Sequence, residues 1–497
     1  MDRELRWCDY ITINLYVFGI SFAAGSITPL LLPYLVALFV PDELKNTYLG
    51  IIRQVSLAVA MLVQPVAGLL SDRSTHPLGR RRPFIIGSAL FNILFLGLLA
   101  ASPLFVGSTL DEALRPVLGV TVAYVVLMAA LMLLQVSSNT GQAAVQGLIP
   151  DLVPLHQRGR ASGVKAVMEL MPSIPLIAVG ALVGQGKIGL TTGLIMAVFL
   201  ITMLITIFGV HEEPGGEPEG RDIRPLILRL IGLTIIFVGA TQGGAWLVAF
   251  AGDVLAEQGA EVVAQVAIVG LAGLVAMAGA ILIGVYLGAR VGIGPEAGEQ
   301  TSFIWWVVNR LLFLAGVGSV QGFALYYLRD VLLLPDAERW TGVLLAFVAV
   351  FLIASALGGG YLSDRLGRRR LVALSGLVAA LGTLVLLLAA DITLVIVAGS
   401  IIGLGAGTFM ATNWALGTDL VPPQEAGRYL GISNLAGAGA GIVGAGIGGP
   451  MADFFNALEP GLGYLVIFGL YGMLFLLSAV VLVQVKVPGK AGALERP

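Results

Sequence analysis

The sequence predicts an all-α membrane protein with about fourteen transmembrane helices, arranged as two six-helix bundles plus two extra central helices. Three observations lead to this prediction. Long apolar runs follow one another along most of the chain. They do not alternate with the period of two that barrel strands show. The charged loop sequence "GLLSDRSTHPLGRRRPF" is nearly repeated far downstream as "GYLSDRLGRRR", which indicates an internal duplication.

The composition is typical of a membrane protein. Hydrophobic residues make up 57% of the 497 residues and charged residues only 12%, against about 25% charged in a soluble domain. The net charge of −2 indicates nothing about nucleic acid, and the single cysteine, Cys8, excludes an internal disulfide or a multi-cysteine metal site. The three histidines are scattered and no GxxxxGK[ST] motif is present. We therefore predict no metal, no cofactor and no ATP drive.

The predicted transmembrane spans follow from length alone, since a span needs about 20 mostly apolar residues. Only helices and closed barrels satisfy their own backbone hydrogen bonds in lipid. The N-terminal sequence "MDRELRWCDY" leads into the first span without a cleavage pattern, so we expect that span to be uncleaved. The predicted spans are 11–39, 48–70, 83–101, 117–149, 163–184, 191–210, 226–250, 262–288, 303–328, 341–362, 371–390, 393–417, 429–450 and 465–485.

The basic residues predict the orientation. If the N-terminus is cytoplasmic, 22 of the 28 lysines and arginines fall on the cytoplasmic side, Arg310 among them. An odd number of spans would abolish this asymmetry. We therefore predict a multi-pass protein of the cell (plasma) membrane with both termini in the cytoplasm.

Two pairs of loop sequences match between the halves of the chain. The Gly-Ser-Asp-Arg and Gly-Arg-Arg-Arg elements of the first loop recur in the second, and "DLVPLHQRGRASG" aligns with "DLVPPQEAGRYLG" at a constant offset of 268. An aspartate at the same place in both copies favours an ion-pair latch over arginines that only enforce topology. The predicted latch comprises Gly68, Asp72, Arg73, Gly79, Arg80, Arg81, Arg82, Asp151, Arg160, Asp364, Arg365, Gly367, Arg368, Asp419 and Arg428.

The duplication also predicts the domains. Residues 1–211 form an N-terminal six-helix bundle, 212–302 an acidic linker with two extra transmembrane helices, and 303–497 a C-terminal six-helix bundle. Repeated membrane halves are typical of alternating-access carriers, in which one bundle rocks against the other around a central site.

The loop between the second and third spans resembles the signature of the major facilitator superfamily, through Gly68, Ser71, Asp72, Arg73, Gly79, Arg80 and Arg81. The longer stretch "VQPVAGLLSDRSTHPLGRRRPFI" is similar to the sucrose/proton symporters of plants and their animal relatives, a group with or close to the glycoside–pentoside–hexuronide cation symporters. Asn139, Gln142 and Asp151 fit the plant pattern of the fourth span, where Gln146 stands in place of an arginine. The resemblance implies a twelve-helix carrier fold and sugar/proton symport.

Polar residues inside the spans predict a solute site, because such groups are costly in a bilayer. Gln135, Asn139, Gln142 and Gln146 lie within an arc of about 60° on the fourth span and suit a hydroxyl-rich solute. Hydrogen bonding between buried helices is the alternative. Asn14 on the first span and Thr412, Asn413, Trp414 and Asn434 in the second half complete the predicted solute-binding set.

The fifth span carries a predicted coupling group. Glu169, with Lys165 four residues before it, is our candidate for proton or cation coupling. A static ion pair at this spacing is the equal alternative.

Three functional hypotheses follow. The first is a secondary active transporter, coupled to H⁺ or Na⁺, that takes up a sugar or glycoside. The second is proton-coupled export of amphipathic compounds, and the third is a non-transporting assembly factor. In each case the chain is not an enzyme, lies in the lipid bilayer, binds no nucleic acid and needs no obligate protein partner.

Overall fold

The chain is helical, as predicted. A computed structural model describes residues 5–212, 224–292, 294, 300–421 and 426–486, without the side chains of 292, 364, 426–432 and 434–436. Within these residues there is no β-strand. Thirteen helical segments of the described chain are long and apolar enough to cross a membrane. A further helix, Ala426–Leu458, lies over the predicted span 429–450. The predicted all-α membrane fold is confirmed.

The helices are numbered in chain order. The first half contains α1 (Trp7–Ser26), a π-helical turn (Ile27–Leu31), α2 (Leu32–Phe39), α3 (Lys45–Asp72), α4 (Arg82–Ala101), α5 (Thr109–Leu118), α6 (Val122–Leu152), α7 (Arg158–Leu170), α8 (Leu176–Gly184) and α9 (Ile188–Gly209). The second half contains α10 (Arg224–Glu257), α11 (Val262–Gly292), α12 (Thr301–Asp330), α13 (Ala337–Leu366), α14 (Arg368–Leu387), α15 (Ile392–Leu420), α16 (Ala426–Leu458) and α17 (Leu462–Val481).

The predicted span 117–149 begins too early. Residues 109–118 form the separate short helix α5, which ends at Gly119 with a left-handed φ of +70°. Thr121 then caps α6, because its side chain accepts a hydrogen bond from the Tyr124 amide. Apolar residues run through both helices, so hydrophobicity alone did not reveal the turn.

The predicted span 163–184 is not one continuous helix. It consists of α7 and α8, joined by the 3₁₀ turn Met171–Ser173. Pro172 lies in this turn and Pro175 precedes α8. Proline removes a backbone donor and clashes with the preceding turn, which ends the first helix directly after Glu169 and Leu170.

Contacts between the helices define two compact units. Unit 1 comprises Met1–Asp42, Val55–Leu228 and Asp336–Ala346. Unit 2 comprises Glu43–Gln54, Arg229–Pro335 and Phe347–Pro497. The first part of α3 thus belongs to unit 2, and the first part of α13 belongs to unit 1. The predicted domain boundaries at 212 and 302 stay a prediction.

Unit 1 has polar as well as apolar contacts in its interior. The Tyr16 hydroxyl lies 3.0 Å from Ser88 Oγ, and Ser138 Oγ donates to Asn92 Oδ1 at 2.9 Å. These bonds join α1 to α4 and α4 to α6, which satisfies groups that would be costly if left unpaired.

The centre of unit 2 is aromatic. The rings of Phe313 and Phe409 stack with centroids 3.8 Å apart, and Phe475 packs against Phe313 at 5.1 Å. These contacts join α12, α15 and α17. Of the two central helices, α11 packs against α16 in this unit.

Glycines allow two close helix crossings. In unit 2 the first turns of α3 cross α16, and a Cβ on Gly50 or Gly449 would overlap a carbonyl oxygen of the facing helix. In unit 1 the first turns of α13 cross α8, and the same holds for Gly180 and Gly342. Small residues let helix backbones approach in lipid. Since the loop repeat relates α3 to α13 and α7–α8 to α16, the two crossings are equivalent in the duplication.

Candidate functional site

Arg81 holds the loop between α3 and α4. Its side chain is 7% exposed and pairs with Asp72. Nε donates to Asp151 Oδ2 at 2.8 Å, and Nη1 donates to Ser71 Oγ at 3.2 Å. Arg80 Nη2 lies 3.4 Å from the other oxygen of Asp151. Burial alone would lower the pKa of Arg81, but the hydrogen bonds and charges of Asp151 and Asp72 outweigh it and raise that pKa above its ordinary value.

Glu212 also binds this loop, and the sequence did not predict it. Its Oε2 accepts hydrogen bonds from the amides of Arg81 at 2.9 Å and Arg82 at 3.1 Å, where α4 begins. A carboxylate is favourable at a helix N-terminus. Gly79 turns the loop with φ of +104° and lies against Glu212.

The second copy of the loop reproduces the ion pair. Arg368 Nη1 lies 2.6 Å from Asp419 Oδ1, which corresponds to Arg80 and Asp151 in the first copy. Gly367 has a φ of +86°, as Gly79 has a positive φ. The Arg368 and Asp419 side chains are 36% and 37% exposed. The Arg80 and Asp151 side chains are 41% and 19% exposed, so the duplication preserves the pairing while the aspartate is more exposed in the second copy.

The remaining predicted latch residues make different contacts. Gly68 faces Ala143 of α6, and Arg82 Nη2 donates to the Ile207 carbonyl at 2.7 Å. Arg365 lies over the ring of Tyr361 at 4.5 Å.

The remaining four predicted latch residues are Arg73, Arg160, Asp364 and Arg428. Arg73 is half-buried and Arg160 is exposed. The side chains of Asp364 and Arg428 lie outside the described residues.

The four predicted carboxamide residues of α6, which we call the carboxamide stripe, are only partly hydrogen-bonded. They are Gln135, Asn139, Gln142 and Gln146. Asn139 is buried, and its Nδ2 donates to the Gln135 carbonyl at 2.8 Å and to Gln135 Oε1 at 3.0 Å. Gln142 is half-buried and Gln146 is exposed. Neither makes a hydrogen bond to the described part of the chain. Their amides therefore keep free donors and acceptors.

Asn14 is buried and hydrogen-bonded within unit 1. It is 1% exposed, and its Nδ2 donates to the carbonyl oxygens of Tyr10 at 2.9 Å and Ala161 at 3.2 Å. The contact with Ala161 joins α1 to the beginning of α7.

Lys165 and Glu169 form an ion pair on α7, with 3.1 Å between Nζ and Oε1. The two side chains are 25% and 37% exposed. Glu169 lies one residue before the end of α7, next to the proline break. A helix C-terminus is unfavourable for a negative charge. The positive charge of Lys165 compensates that of Glu169.

Asn413 is the centre of a polar network in unit 2. Its Nδ2 donates to Asn309 Oδ1 at 2.9 Å, and its carbonyl accepts from Trp306 Nε1 at 3.0 Å. Asn309 in turn donates to the Ser478 carbonyl at 2.7 Å. Thr412 is buried and donates to a carbonyl of its own helix. The side chain of Asn434, also predicted for the solute site, lies outside the described residues.

Arg310 joins this network, and the sequence missed it as a site residue. The charge pattern predicts it on the cytoplasmic side, but it is the tenth residue of α12. Its Nη1 donates to Asn413 Oδ1 at 3.4 Å, and its guanidinium lies 5.3 Å from the centre of the Trp414 ring. An arginine inside an apolar run was the available signal.

A second polar cluster, also missed, surrounds the start of α3 in unit 2. Asp453 Oδ1 accepts from the Asn46 amide at 3.2 Å and from Asn46 Nδ2 at 2.8 Å, and its Oδ2 accepts from the Thr47 amide at 2.6 Å. Lys45 Nζ lies 2.6 Å from Asp330 Oδ2. Asp453 thus caps the N-terminal amides of α3 from a distant helix.

Unit 1 has a cavity of about 460 Å³ between α4 and α6, lined mainly by apolar side chains. Phe91, Phe95 and Val136 are among its walls, with Ser137 and Thr140 as polar groups. These residues lie on the face of α6 away from the carboxamide stripe. The predicted stripe therefore does not line this cavity.

Comparison with known proteins supports the same family at both ends of the chain. A family model described as MFS/sugar transport protein matches residues 17–224, and one described as Major Facilitator Superfamily matches residues 311–497. These matches confirm the resemblance seen in the loop sequence.

Curated relatives match shorter stretches. General alpha-glucoside permease of Schizosaccharomyces pombe is 30% identical over 192 residues, which cover 36% of this chain and 33% of that protein. Sucrose transport protein SUC3 of Arabidopsis thaliana is 28% identical over 180 residues, which cover 35% of this chain and 30% of that protein. The matched stretch thus spans about a third of the length of these relatives.

Solved structures share the fold over nearly the whole chain. The crystal structure of a D-xylose-proton symporter matches with a TM-score of 0.62 at 14% identity, over 97% of this chain and 98% of that one. At this identity the likeness concerns the fold alone. Family models of the same superfamily match both halves of this multi-pass helical fold, and the chain belongs to the major facilitator superfamily.

Proposed function

We propose that this chain is a secondary active transporter that takes up a sugar or glycoside by alternating access, coupled to H⁺ or Na⁺. The observation that carries the proposal is the repeat. The ion pairs Arg80–Asp151 and Arg368–Asp419 recur in the two halves, as do the glycine crossings of α3 with α16 and of α13 with α8. Repeated halves are typical of carriers that rock one bundle against the other.

Free carboxamides support a hydroxyl-rich solute. Gln142 and Gln146 offer both donors and acceptors, and each sugar hydroxyl is itself a donor and an acceptor. The names of the relatives, an alpha-glucoside permease and a sucrose transport protein, support the same solute class.

The Lys165–Glu169 pair supports ion coupling. It lies beside the break between α7 and α8, and discontinuous helices are frequent at transporter sites. In the proposed mechanism, a proton on Glu169 removes its charge and releases Lys165, which changes the electrostatics of the pathway in step with the bound solute.

The loop ion pairs act as conformational latches in this proposal. Arg81 is tied to Asp72 and Asp151 within unit 1, and Arg368 is tied to Asp419 within unit 2. In this proposal such pairs hold one conformation and are released when the carrier changes its conformation. The proposal includes bundles at 1–211 and 303–497, an extra helical pair within 212–302, and cytoplasmic termini in the plasma membrane.

Uptake into proteoliposomes tests the proposal. The purified chain is reconstituted, and accumulation of labelled glucose, maltose and sucrose is measured with and without an imposed proton or sodium gradient. We expect gradient-driven accumulation of at least one sugar. Absence of uptake over a broad sugar panel, with saturable uptake of another solute class, would refute sugar transport.

Export of amphipathic compounds is a second candidate, favoured by the apolar cavity between α4 and α6. Expression of the chain in a drug-sensitive host would then raise resistance to lipophilic cations. Unchanged resistance, together with sugar uptake, would exclude this alternative.

A further inference from the structure

Arg53 is a buried cation on the first part of α3, residues 45–54. It is 7% exposed, and its Nη2 donates a hydrogen bond to the Gly318 carbonyl of α12 at 2.9 Å. Its Nη1 is buried without a hydrogen-bond partner, and no acidic side chain of the described residues pairs with it. Arginine stays charged in proteins, and an uncompensated charge in the interior is strongly destabilising. One neutral carbonyl does not compensate this charge.

The surroundings of Arg53 leave no room for a ligand. A Cβ on Gly322 would overlap the guanidinium, so the backbone of α12 lies directly against it. Gly318, which accepts its hydrogen bond, lies one turn earlier on the same helix. Long basic side chains near a membrane surface often extend to water, but the low exposure of Arg53 excludes this here. Its guanidinium thus faces protein and not a solute site.

The repeat indicates that this position does not need a charge. Gly50 and Gly342, at the two equivalent helix crossings, are 292 residues apart, and the Gly-Ser-Asp-Arg elements of the two loops match at the same spacing. At this spacing Arg53 of α3 corresponds to Leu345 of α13, which is buried in unit 1. A leucine thus fills the equivalent place in the other crossing. The arginine is specific to α3 and is not required by the geometry of the crossing.

Other contacts of the first part of α3 stabilise its place in unit 2. Asp453 of α16 accepts hydrogen bonds from the amides of Asn46 and Thr47, and Gly50 allows the close crossing with α16. Asn46, Gly50 and Arg53 follow one another at spacings of four and three residues, so they lie on one face of α3. This face therefore carries both the contacts that hold α3 in unit 2 and a charge that opposes them.

The helix α3 is shared between the two units. It is continuous from Lys45 to Asp72, yet its residues up to Gln54 belong to unit 2 and those from Val55 belong to unit 1. By the duplication α3 is part of the first repeat, so movement of one repeat against the other separates its first part from α12 and α16. We propose that Arg53 is a release element, whose uncompensated charge weakens the binding of the first part of α3 to unit 2 and lets it leave during transport. The inference rests on the proposed function and concerns its regulation.

Hydrogen exchange of the full chain in lipid nanodiscs tests the release element. Arg53→Leu introduces the residue of the second copy and removes the charge. Amide exchange of residues 45–54 should slow by about tenfold, and the melting temperature should rise by about 2–8 °C, because the first part of α3 binds unit 2 more tightly. The initial rate of uptake into proteoliposomes, measured with labelled glucose, maltose and sucrose, should fall by about tenfold for each sugar that the wild type takes up.

Three further variants separate the charge from the packing. Arg53→Lys keeps the charge, so its exchange at residues 45–54 should be no slower than in the wild type, and slowing equal to that of Arg53→Leu would overturn the proposal. Arg53→Met is closer in length to arginine and repeats the test with a smaller cavity. A lower melting temperature in both apolar variants would identify Arg53 as structural and overturn the proposal as well. Arg290 is an exposed cation over the Tyr286 ring, so Arg290→Leu should leave exchange at residues 45–54 unchanged.

The uptake measurement distinguishes failure of this inference from failure of the proposed function. If the wild type takes up a sugar and Arg53→Leu takes it up at the full rate, release of α3 does not limit transport and only this inference fails. If the wild type takes up no sugar, the proposed function fails. The exchange and melting data, which need no solute, then decide by themselves whether the charge of Arg53 opposes the binding of α3 to unit 2.

Discussion

Replacement of Arg81 by alanine should destabilise the protein far more than replacement of Arg368. Both arginines bind the aspartate of the second repeated loop, Asp151 and Asp419 respectively. Their burial differs, since the Arg81 side chain is 7% exposed and that of Arg368 is 36% exposed. Arg81 contacts both Asp72 and Asp151 from this buried position, so its replacement removes both contacts at once, whereas the ion pair of Arg368 with Asp419 is exposed to solvent.

The expected magnitudes are well separated. Hydrogen bonds to charged groups are worth about 1.5–3 kcal/mol each, so loss of the two carboxylate contacts of Arg81 costs about 3–6 kcal/mol, whereas an exposed pair is worth about 0–1 kcal/mol. For a cooperative unit of about 200 residues, a loss of about 4 kcal/mol lowers the melting temperature by roughly 8–16 °C. Arg368→Ala should lower it by no more than about 4 °C.

Thermal unfolding of the detergent-purified variants, followed by circular dichroism, measures the difference. The raised pKa of Arg81 adds a pH criterion. A group whose pKa is raised on folding stabilises the fold fully below its ordinary pKa and loses this effect only as pH rises above it. The difference in melting temperature between wild type and Arg81→Ala that is attributable to this group should thus stay constant between about pH 6 and 9. Equal losses for the two variants would refute the argument from burial.

Three further predictions concern helix packing, capping and coupling. Gly449→Val should abolish transport and destabilise the protein by about 1–3 kcal/mol, because its Cβ overlaps a facing carbonyl. Gly279→Val, with nothing within 4 Å of an added Cβ, is the matched control, and equal loss of uptake in both would contradict the close crossing. Asp453→Ala should cost about 1–3 kcal/mol, since it leaves the first amides of α3 uncapped, and hydrogen exchange at Asn46 and Thr47 should quicken. Unchanged exchange there would count against the cap. Glu169→Gln should abolish gradient-driven sugar accumulation but retain exchange of labelled for unlabelled sugar, and full accumulation would remove Glu169 from the coupling mechanism.

The sequence predicted features that depend on nearby residues or on the duplication. Apolar runs long enough to cross a bilayer must be helical there, so thirteen of fourteen predicted spans correspond to long apolar helices of the described chain. The repeat indicated that Asp151 and Asp419 are equivalent, and both bind an arginine of the preceding loop.

The span boundaries predicted from hydrophobicity were wrong where a proline or a glycine interrupts a helix inside an apolar segment. The fifth predicted span is interrupted at Pro172, and α5 is separated from α6 at Gly119. A hydropathy window averages over such positions, because proline and glycine act on the backbone and not on the apolar content of the segment.

The sequence by itself determined that this chain is a duplicated helical membrane protein with repeated charged loops, since the lipid bilayer permits only helices or closed barrels and these apolar runs lack the alternation of barrel strands. Only the tertiary structure decided which charges have partners. Asp453 caps a helix that begins some 400 residues before it, while Arg310 has a fixed amide and an exposed tryptophan beside it and no described carboxylate. Whether a charge is compensated depends on distances of a few ångströms between remote segments, and these distances are set by packing.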